Sequence, residues 1–560
     1  MMLRLPLPTF VVGCLLLLCR FASVTNAREV VSPVADEVSI TGVINPIIVE
    51  ALLQYELPVS IRNANYYSAT FWNCVVAYST TYRDTLTKQR PVIFDPDESE
   101  HHTQNRAACV IQAGATLNDL LLGGINNEAY VTEALKIPLL DKLNVTTIDK
   151  TIDESVWMCG EDVECLKSIA ANSEYDPKTM GHIVAYQSYL FSIKDGFNYL
   201  GTDGGCVINC RAFSDTTGYS PVGQSYSTGW NNRYCDRWTP LTEDDGRGFF
   251  FDQQHVTPHI GTKAKFRFLP ESDRQTRVVR KPNYSKSRQK ESDEVIRTMT
   301  LLDDYKKVQV EAFDDKFYVN SAIIGSVIQK LIRLEYEDPE FGTDHYVTLE
   351  RVLHLATGIT ATEYDTIVIA WKEKVATDLI RPTSVIKRRG EELITTWAPG
   401  GIQTFPARDF EAYIRVMPHS EYTSGSSCLF TGLSEYFVNY MELMGIGPEL
   451  PVTFPAVPVG GSKVEPGTVP SSPITLTYAS LEQMNEASGQ SRIDGGMHFV
   501  DSVPAGVELC TGIGKIVAEG NFGLLESTPV VDDEDDVPDK KEIPKKLGSK
   551  KHRMKKHGMM

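Results

Sequence analysis

The chain has 560 residues and a formal net charge of -18, too long for a single core to grow around and too acidic for general nucleic-acid binding. Apolar residues at 42% and charged residues at 23% are those of a soluble globular protein. Any functional positive charge must be concentrated locally, as a basic pocket for an anionic ligand in an acidic body.

Residues 1–27 read as a secretory signal peptide, with Arg4 near the start, an apolar run from Phe10 to Cys19, and small or polar residues leading to Thr25 and Ala27. No later stretch reaches the roughly 20 apolar residues of a membrane span, so a secreted or secretory-pathway lumenal protein with no stable membrane span is expected. Two of the eleven cysteines leave with the signal, so an odd number remains where disulfides persist and at least one thiol stays unpaired within a monomer. Cys159 with Cys165 and Cys206 with Cys210 are the nearest pairs. Asn144 and Asn283 lie in glycosylation sequons whose use is open, and homo-oligomerisation is open as well.

Residues 28–295 read as an N-terminal helical half, with apolar spacings of three and four at Ile47, Ile48, Ala51, Leu52 and Tyr55, at Phe71, Trp72 and Val75, from Ala113 to Leu140, and from His182 to Ile193. Between Gly201 and Phe268 comes a long ordered excursion rich in Gly, Asp, Thr, Tyr and Trp, and Pro270 to Lys290 reads as a surface loop. A second helical half, 296–525, begins with Val308 to Phe317 and Val319 to Leu334. After Gly447 an irregular Pro/Gly/Ser-rich stretch runs to about Pro473. Residues 526–560, acidic at Asp532 to Asp536 and lysine-rich from Lys540 to Lys556, read as a disordered tail whose basic tip could bind a polyanion or a cell-wall surface.

Three segments of the second half carry chemistry. A capping box at Thr360 and Glu363 predicts a helix running to Ile380 and stopped by Pro382, with Lys374 and Arg381 two turns apart on one face. An alternative for Lys374 is a surface pair with Asp378. The stretch Met417 to Gly432 predicts a helix N-terminus at Ser424, Gly425 and Ser426, where free amides and the helix dipole suit an anion, or where Ser424 is an ordinary cap. Finally, Ser480 and Gln483 open a helix that leads to Arg492, the turn at Gly495 and Gly496, and His498. Arginine offers a planar fork of donors to an oxyanion, and a neutral imidazole can bind a metal or attack phosphorus.

In this order KVATDLIRP, TSGS and SRIDGGMH resemble the K-x6-RP, PSGH and SR-x5-H motifs of the vanadium-dependent haloperoxidase and type 2 phosphatidic acid phosphatase (PAP2) superfamily. FDDK at Phe313 to Lys316, WKEK at Trp371 to Lys374, RWTPL at Arg237 to Leu241 and TPHIG resemble its haloperoxidase branch. The resemblance spans roughly residues 40–515 and implies a mainly α fold, two four-helix-bundle-like halves with long irregular loops and the site in the second. It implies vanadate as cofactor, its oxygens held by Lys374, Arg381 and Arg492 with the Ser424 hydroxyl, the Gly425 amide and Trp371, and His498 as axial vanadium ligand. Hydrogen peroxide, a halide and a small organic acceptor would be the reactants, and phosphate a competing anion.

Two positions depart from the pattern: Thr423 stands for the proline and Ser426 for the acid-base histidine. The resemblance offers His419 as a substitute, at the position where brominating members carry a pocket histidine, and so favours bromide or iodide. Asp501 falls one position early for the orienting acid of the phosphatase pattern. The expected function is a secreted vanadium haloperoxidase, its activity lowered at Ser426. The alternatives are a PAP2-type phosphatase working through a phosphohistidine at His498, and a non-catalytic oxyanion-binding homologue.

Overall fold

The computed structural model describes most of residues 52–525; residues 1–51, 96–101, 135–146, 223–234, 283–287, 338–347 and 526–560, with some isolated positions, lie outside the described part. The signal stretch, the apolar positions before Leu52, both sequons and the charged tail fall there. The described chain is mainly helical, with only short antiparallel β-pairs. Among the described residues, no helix is long and apolar enough to cross a membrane.

Helix α1 (Leu57–Ala77) starts with a proline in its first turn and is buried on nearly every face. It lies against α2 (His102–Leu122) and α3 (Pro177–Ser192). A Cys74–Cys109 disulfide staples α1 to α2, and the nearest neighbours in sequence, Cys159 with Cys165 and Cys206 with Cys210, are joined as disulfides. A fourth disulfide joins Cys428 to Cys510, and Cys235 takes part in none of them. After α3 the excursion is irregular apart from short elements, among them the hairpin β1 (Thr242–Asp244) and β2 (Phe250–Asp252).

Helices α4 (Asp304–Asp314) and α5 (Lys316–Glu337) follow the predicted periodicity. The next helix departs from it. α6 spans Leu349–Thr377 and opens at Thr348, whose side chain accepts the Arg351 amide. Thr360 is therefore mid-helix, bonded to the Ala356 carbonyl, and Glu363 is fully buried against Asn320 rather than closing a cap. The helix ends four residues before Arg381, at a left-handed Asp378, and Pro382 opens the next short helix instead of stopping this one. Tertiary burial sets these ends: the start of α6 packs in the core of α1 to α3, and its later turns pack in the core of the second half.

α7 (Gly425–Leu443), α8 (Leu481–Asp494), α9 (Ser502–Cys510) and α10 (Ile513–Phe522) surround that second core. α7 is capped by Ser424 and followed by Gly445 at φ 71°, as the spacing predicts. α8 is capped by Ser480, with the Gln483 amide on its hydroxyl at 3.1 Å. The Pro270–Lys290 segment is more than a surface loop: Arg277 donates to the Leu509 and Thr511 carbonyls, and Lys372 binds the carbonyls of Arg274 and Arg277.

Candidate functional site

The loop from Pro418 to Ser424 is the hub on which the three motifs meet. Lys374, in the last turn of α6, is fully buried and donates to the carbonyls of Ser420 at 3.1 Å, Glu421 at 3.0 Å and Thr423 at 2.6 Å. Three acceptors match the three hydrogens of an ammonium, so Lys374 gives the pocket its charge while its hydrogens hold the loop. Burial and Arg381 push its pKa down, opposed by Glu421. Asp378 is not its partner; that carboxylate accepts the Tyr219 hydroxyl at 2.6 Å.

Arg381 reaches the same loop from beyond the end of α6, where Trp238 and Leu379 lie on neighbouring backbone. It is buried, and burial lowers its pKa to about 10. Its guanidinium donates to the His419 carbonyl at 3.0 Å, to His419 Nδ1 at 2.9 Å and to the Met497 carbonyl at 3.0 Å, and stands 3.5 Å from His498 Nε2. His419 Nδ1 thus stands between an Arg381 donor at 2.9 Å and the Ser420 carbonyl, an acceptor, at 3.1 Å, and the two make opposite demands on its hydrogen. Burial first, then Lys374 and Arg381, hold the His419 pKa well below its usual range. Trp371 packs its ring 4.7 Å from the His419 imidazole and donates its indole N–H to the Val256 carbonyl at 2.9 Å.

Arg492 lies in the last turn of α8. One nitrogen bonds Asp314 at 3.1 Å, while Nε and Nη1 are buried with no partner. Orphaned guanidinium donors cost free energy unless something accepts from them, and an oxyanion is the acceptor they fit. Ser424 caps α7, its oxygen taking the Ser427 amide at 3.3 Å and the Ser427 hydroxyl at 2.8 Å. Its own hydroxyl hydrogen is left to donate. Gly425 and Ser426 stand in the first turn of α7, at the positive end of its dipole. A Cβ on Gly425 would sit 3.4 Å from Lys374 Cε.

His498 follows the turn at Gly496, whose φ of 75° suits glycine. Its Nδ1 bonds Glu421 Oε1 at 2.8 Å. Burial first, then Arg381, Lys374 and Arg492, hold its pKa well below the usual histidine range, so the imidazole is neutral in the empty pocket. Asp501 does not orient it; it pairs with Arg288 at 3.1 Å. Glu421 takes that place, missed from the sequence although it lies inside MPHSEYTSGSS. The available signal was charge: three converging buried cations need a buried anion.

Three cations, a hydroxyl, a helix N-terminus and one imidazole fit vanadate or phosphate rather than a bare cation. A cavity of about 1150 Å³ adjoins them, lined by Asp314, Lys316, Thr383, Trp397 and Tyr413 among others. The clamp side chains do not line it; Asp314, the partner of Arg492, does.

Residues 354–525 match the family model of the VCPO second helical-bundle domain. No curated protein matches the sequence. Among solved structures, a holo-type bacterial vanadium-dependent chloroperoxidase superposes with a TM-score of 0.66 at 20% identity, covering 84% of this chain and 93% of that one. A bacterial vanadium-dependent iodoperoxidase gives 0.52 at 16% identity, covering 88% and 98%. These likenesses establish the fold, and Lys374, Arg381, Ser424, Arg492 and His498 all lie within the matched residues 354–525.

Gly506 in α9 tests how this bundle builds the site. A Cβ there would lie 2.4 Å from the Ser424 carbonyl oxygen and 3.1 Å from Ser427 Cβ. Gly506→Ala is expected to cost about 1–3 kcal/mol by overpacking and to weaken oxyanion binding by displacing the α7 cap. Thermal unfolding and phosphate titration check both.

Proposed function

We propose that this protein is a secreted, vanadium-dependent haloperoxidase that oxidises bromide or iodide with hydrogen peroxide. The observation that carries the reading is Arg492, whose Nε and Nη1 are buried without an acceptor and whose charge acts on both His498 and Arg381. Lys374, Arg381 and Arg492 would offset the charge of vanadate, Ser424 and the α7 amides would hold its oxygens, and His498 would be its nitrogen ligand. The chemistry that a bound vanadate supplies is Lewis-acid polarisation of peroxide, which makes an oxygen electrophilic toward halide. His419, its Nδ1 held between Arg381 and the Ser420 carbonyl, keeps a neutral ring beside the cations. The adjoining cavity gives room for an organic acceptor.

A second reading, a phosphomonoesterase with His498 as nucleophile, draws on the same Glu421–His498 pair. Ser426 weighs against it, because an alcohol leaving group needs a proton and serine does not titrate near neutrality.

Full-length protein supplied with orthovanadate is expected to oxidise bromide and iodide only in the presence of both vanadate and peroxide. At about 100 times its Kd, vanadate should stabilise the fold by about 2.7 kcal/mol, seen as a rise in Tm. Binding without turnover would replace the reading with a non-catalytic oxyanion protein. Hydrolysis of p-nitrophenyl phosphate by vanadate-free protein would replace it with the phosphatase.

A further inference from the structure

We propose that Glu421 is the positioning residue of the pocket, holding His498 in the one tautomer that turns a bare Nε2 lone pair toward the cations. The proposal rests on the oxyanion reading of the pocket.

Glu421 is completely buried. Its Oε1 takes the Phe499 amide hydrogen at 2.9 Å and faces His498 Nδ1 at 2.8 Å, and its Oε2 meets the Ser502 hydroxyl at 2.6 Å. One carboxylate therefore bridges the residue that binds, the residue after it and the first residue of α9. Its backbone is tied as firmly. The Glu421 amide donates to the Leu379 carbonyl at 2.9 Å, two residues before Arg381, and its carbonyl accepts from Lys374. A shift of Glu421 would thus move all three motifs together.

The tautomer follows from donors and acceptors alone. A backbone N–H can only donate, so Oε1 accepts on that side, as Oε2 does from the Ser502 hydroxyl, and with both oxygens accepting the group is a carboxylate with no hydrogen to offer His498. Nδ1 must then be the donor. On the far side of the ring Arg381 Nη1 stands 3.5 Å from Nε2 and, having no lone pair to offer, leaves Nε2 only the acceptor role. Both flanks demand Nδ1–H with Nε2 bare. Asp501 cannot do this, being spent on Arg288 and 44% exposed.

A carboxylate on the second nitrogen of a metal-binding imidazole fixes its orientation and raises its basicity, and its loss typically costs about 10- to 100-fold in metal affinity. An oxyanion held only by cations gains nothing from that basicity. Vanadate, which bonds Nε2, and phosphate, which does not, therefore separate a positioning role from a merely structural one.

The test uses Glu421→Gln, which keeps shape and removes charge, and Ser502→Ala, which frees Oε2 while leaving the Nδ1 bond. Full-length protein labelled with 15N-histidine, with His498 assigned through His498→Gln, reports the tautomer without any ligand; the wild type should show Nδ1–H. Calorimetric titrations with orthovanadate and inorganic phosphate should show E421Q losing about 10- to 100-fold for vanadate with phosphate unchanged, and Ser502→Ala losing less in the same direction. An Nε2–H tautomer in the wild type, equal losses for both anions, or no loss for either overturns the proposal. A wild type that binds neither anion overturns the reading of the pocket instead, and the tautomer then judges Glu421 by itself.

Discussion

His498→Ala is expected to abolish vanadate-dependent halide oxidation and to bring vanadate affinity down to that of phosphate. On the proposed function the imidazole would be the nitrogen ligand of vanadate, and losing it should exceed the roughly 10- to 100-fold cost of losing a partner behind such a ligand. His419 does not take over, because its Nδ1 is held between Arg381 at 2.9 Å and the Ser420 carbonyl at 3.1 Å and its ring is packed on Trp371. The clamp itself should survive. Arg381 keeps the Met497 and His419 carbonyls, Lys374 keeps its three carbonyls, and Arg492 keeps Asp314. Phosphate should accordingly still bind. Activity with peroxide and bromide, together with paired vanadate and phosphate titrations, gives the answer, and full activity in the alanine variant would remove His498 from its assigned role.

The sequence made α7 and α8 legible because their ends are local: a serine accepts an amide three residues on, and Gly445 takes a left-handed turn. It misplaced both ends of α6 because those ends are tertiary. Thr360 and Glu363 have the spacing of a cap, yet Glu363 is drawn into the core by Asn320. Arg381 was placed on the same helix face as Lys374, whereas Asp378 ends the helix and Arg381 arrives on the following segment. The disulfide map was not legible: the pairs 4 and 6 residues apart are close in sequence without that fixing their partners, and those 35 and 82 apart depend on how helices dock. Within the site, charge type was readable but hydrogen-bond partners were not. Nothing in K-x6-RP says that Lys374 spends its hydrogens on the loop carbonyls, and Glu421 matters only because that loop returns beneath His498.

Ser426→His is expected to raise the turnover of halide oxidation by about 10²- to 10⁴-fold, the usual contribution of a positioned proton-transfer group. Ser426 is the second residue of α7, partly exposed, beside Gly425 and the first turn that meets the clamp. A serine there can hydrogen-bond but cannot move a proton near neutrality, whereas an imidazole can. The surroundings decide which way it works. Lys374, Arg381, Arg492 and the positive end of α7 all disfavour imidazolium; for His419 and His498 burial acts first, and Lys374 and Arg381 add to it. Without a bound anion those charges favour the neutral form of the new histidine, suited to take a proton; an oxyanion bound beside it offsets the cations and raises its pKa again. The gain should thus appear in kcat with vanadate bound and fade as pH falls and the base becomes protonated. Ser426→Asn is the control, a side chain that hydrogen-bonds without titrating. If asparagine and histidine give the same kcat across that range, proton transfer from this position does not limit the reaction, and His419 or solvent carries it.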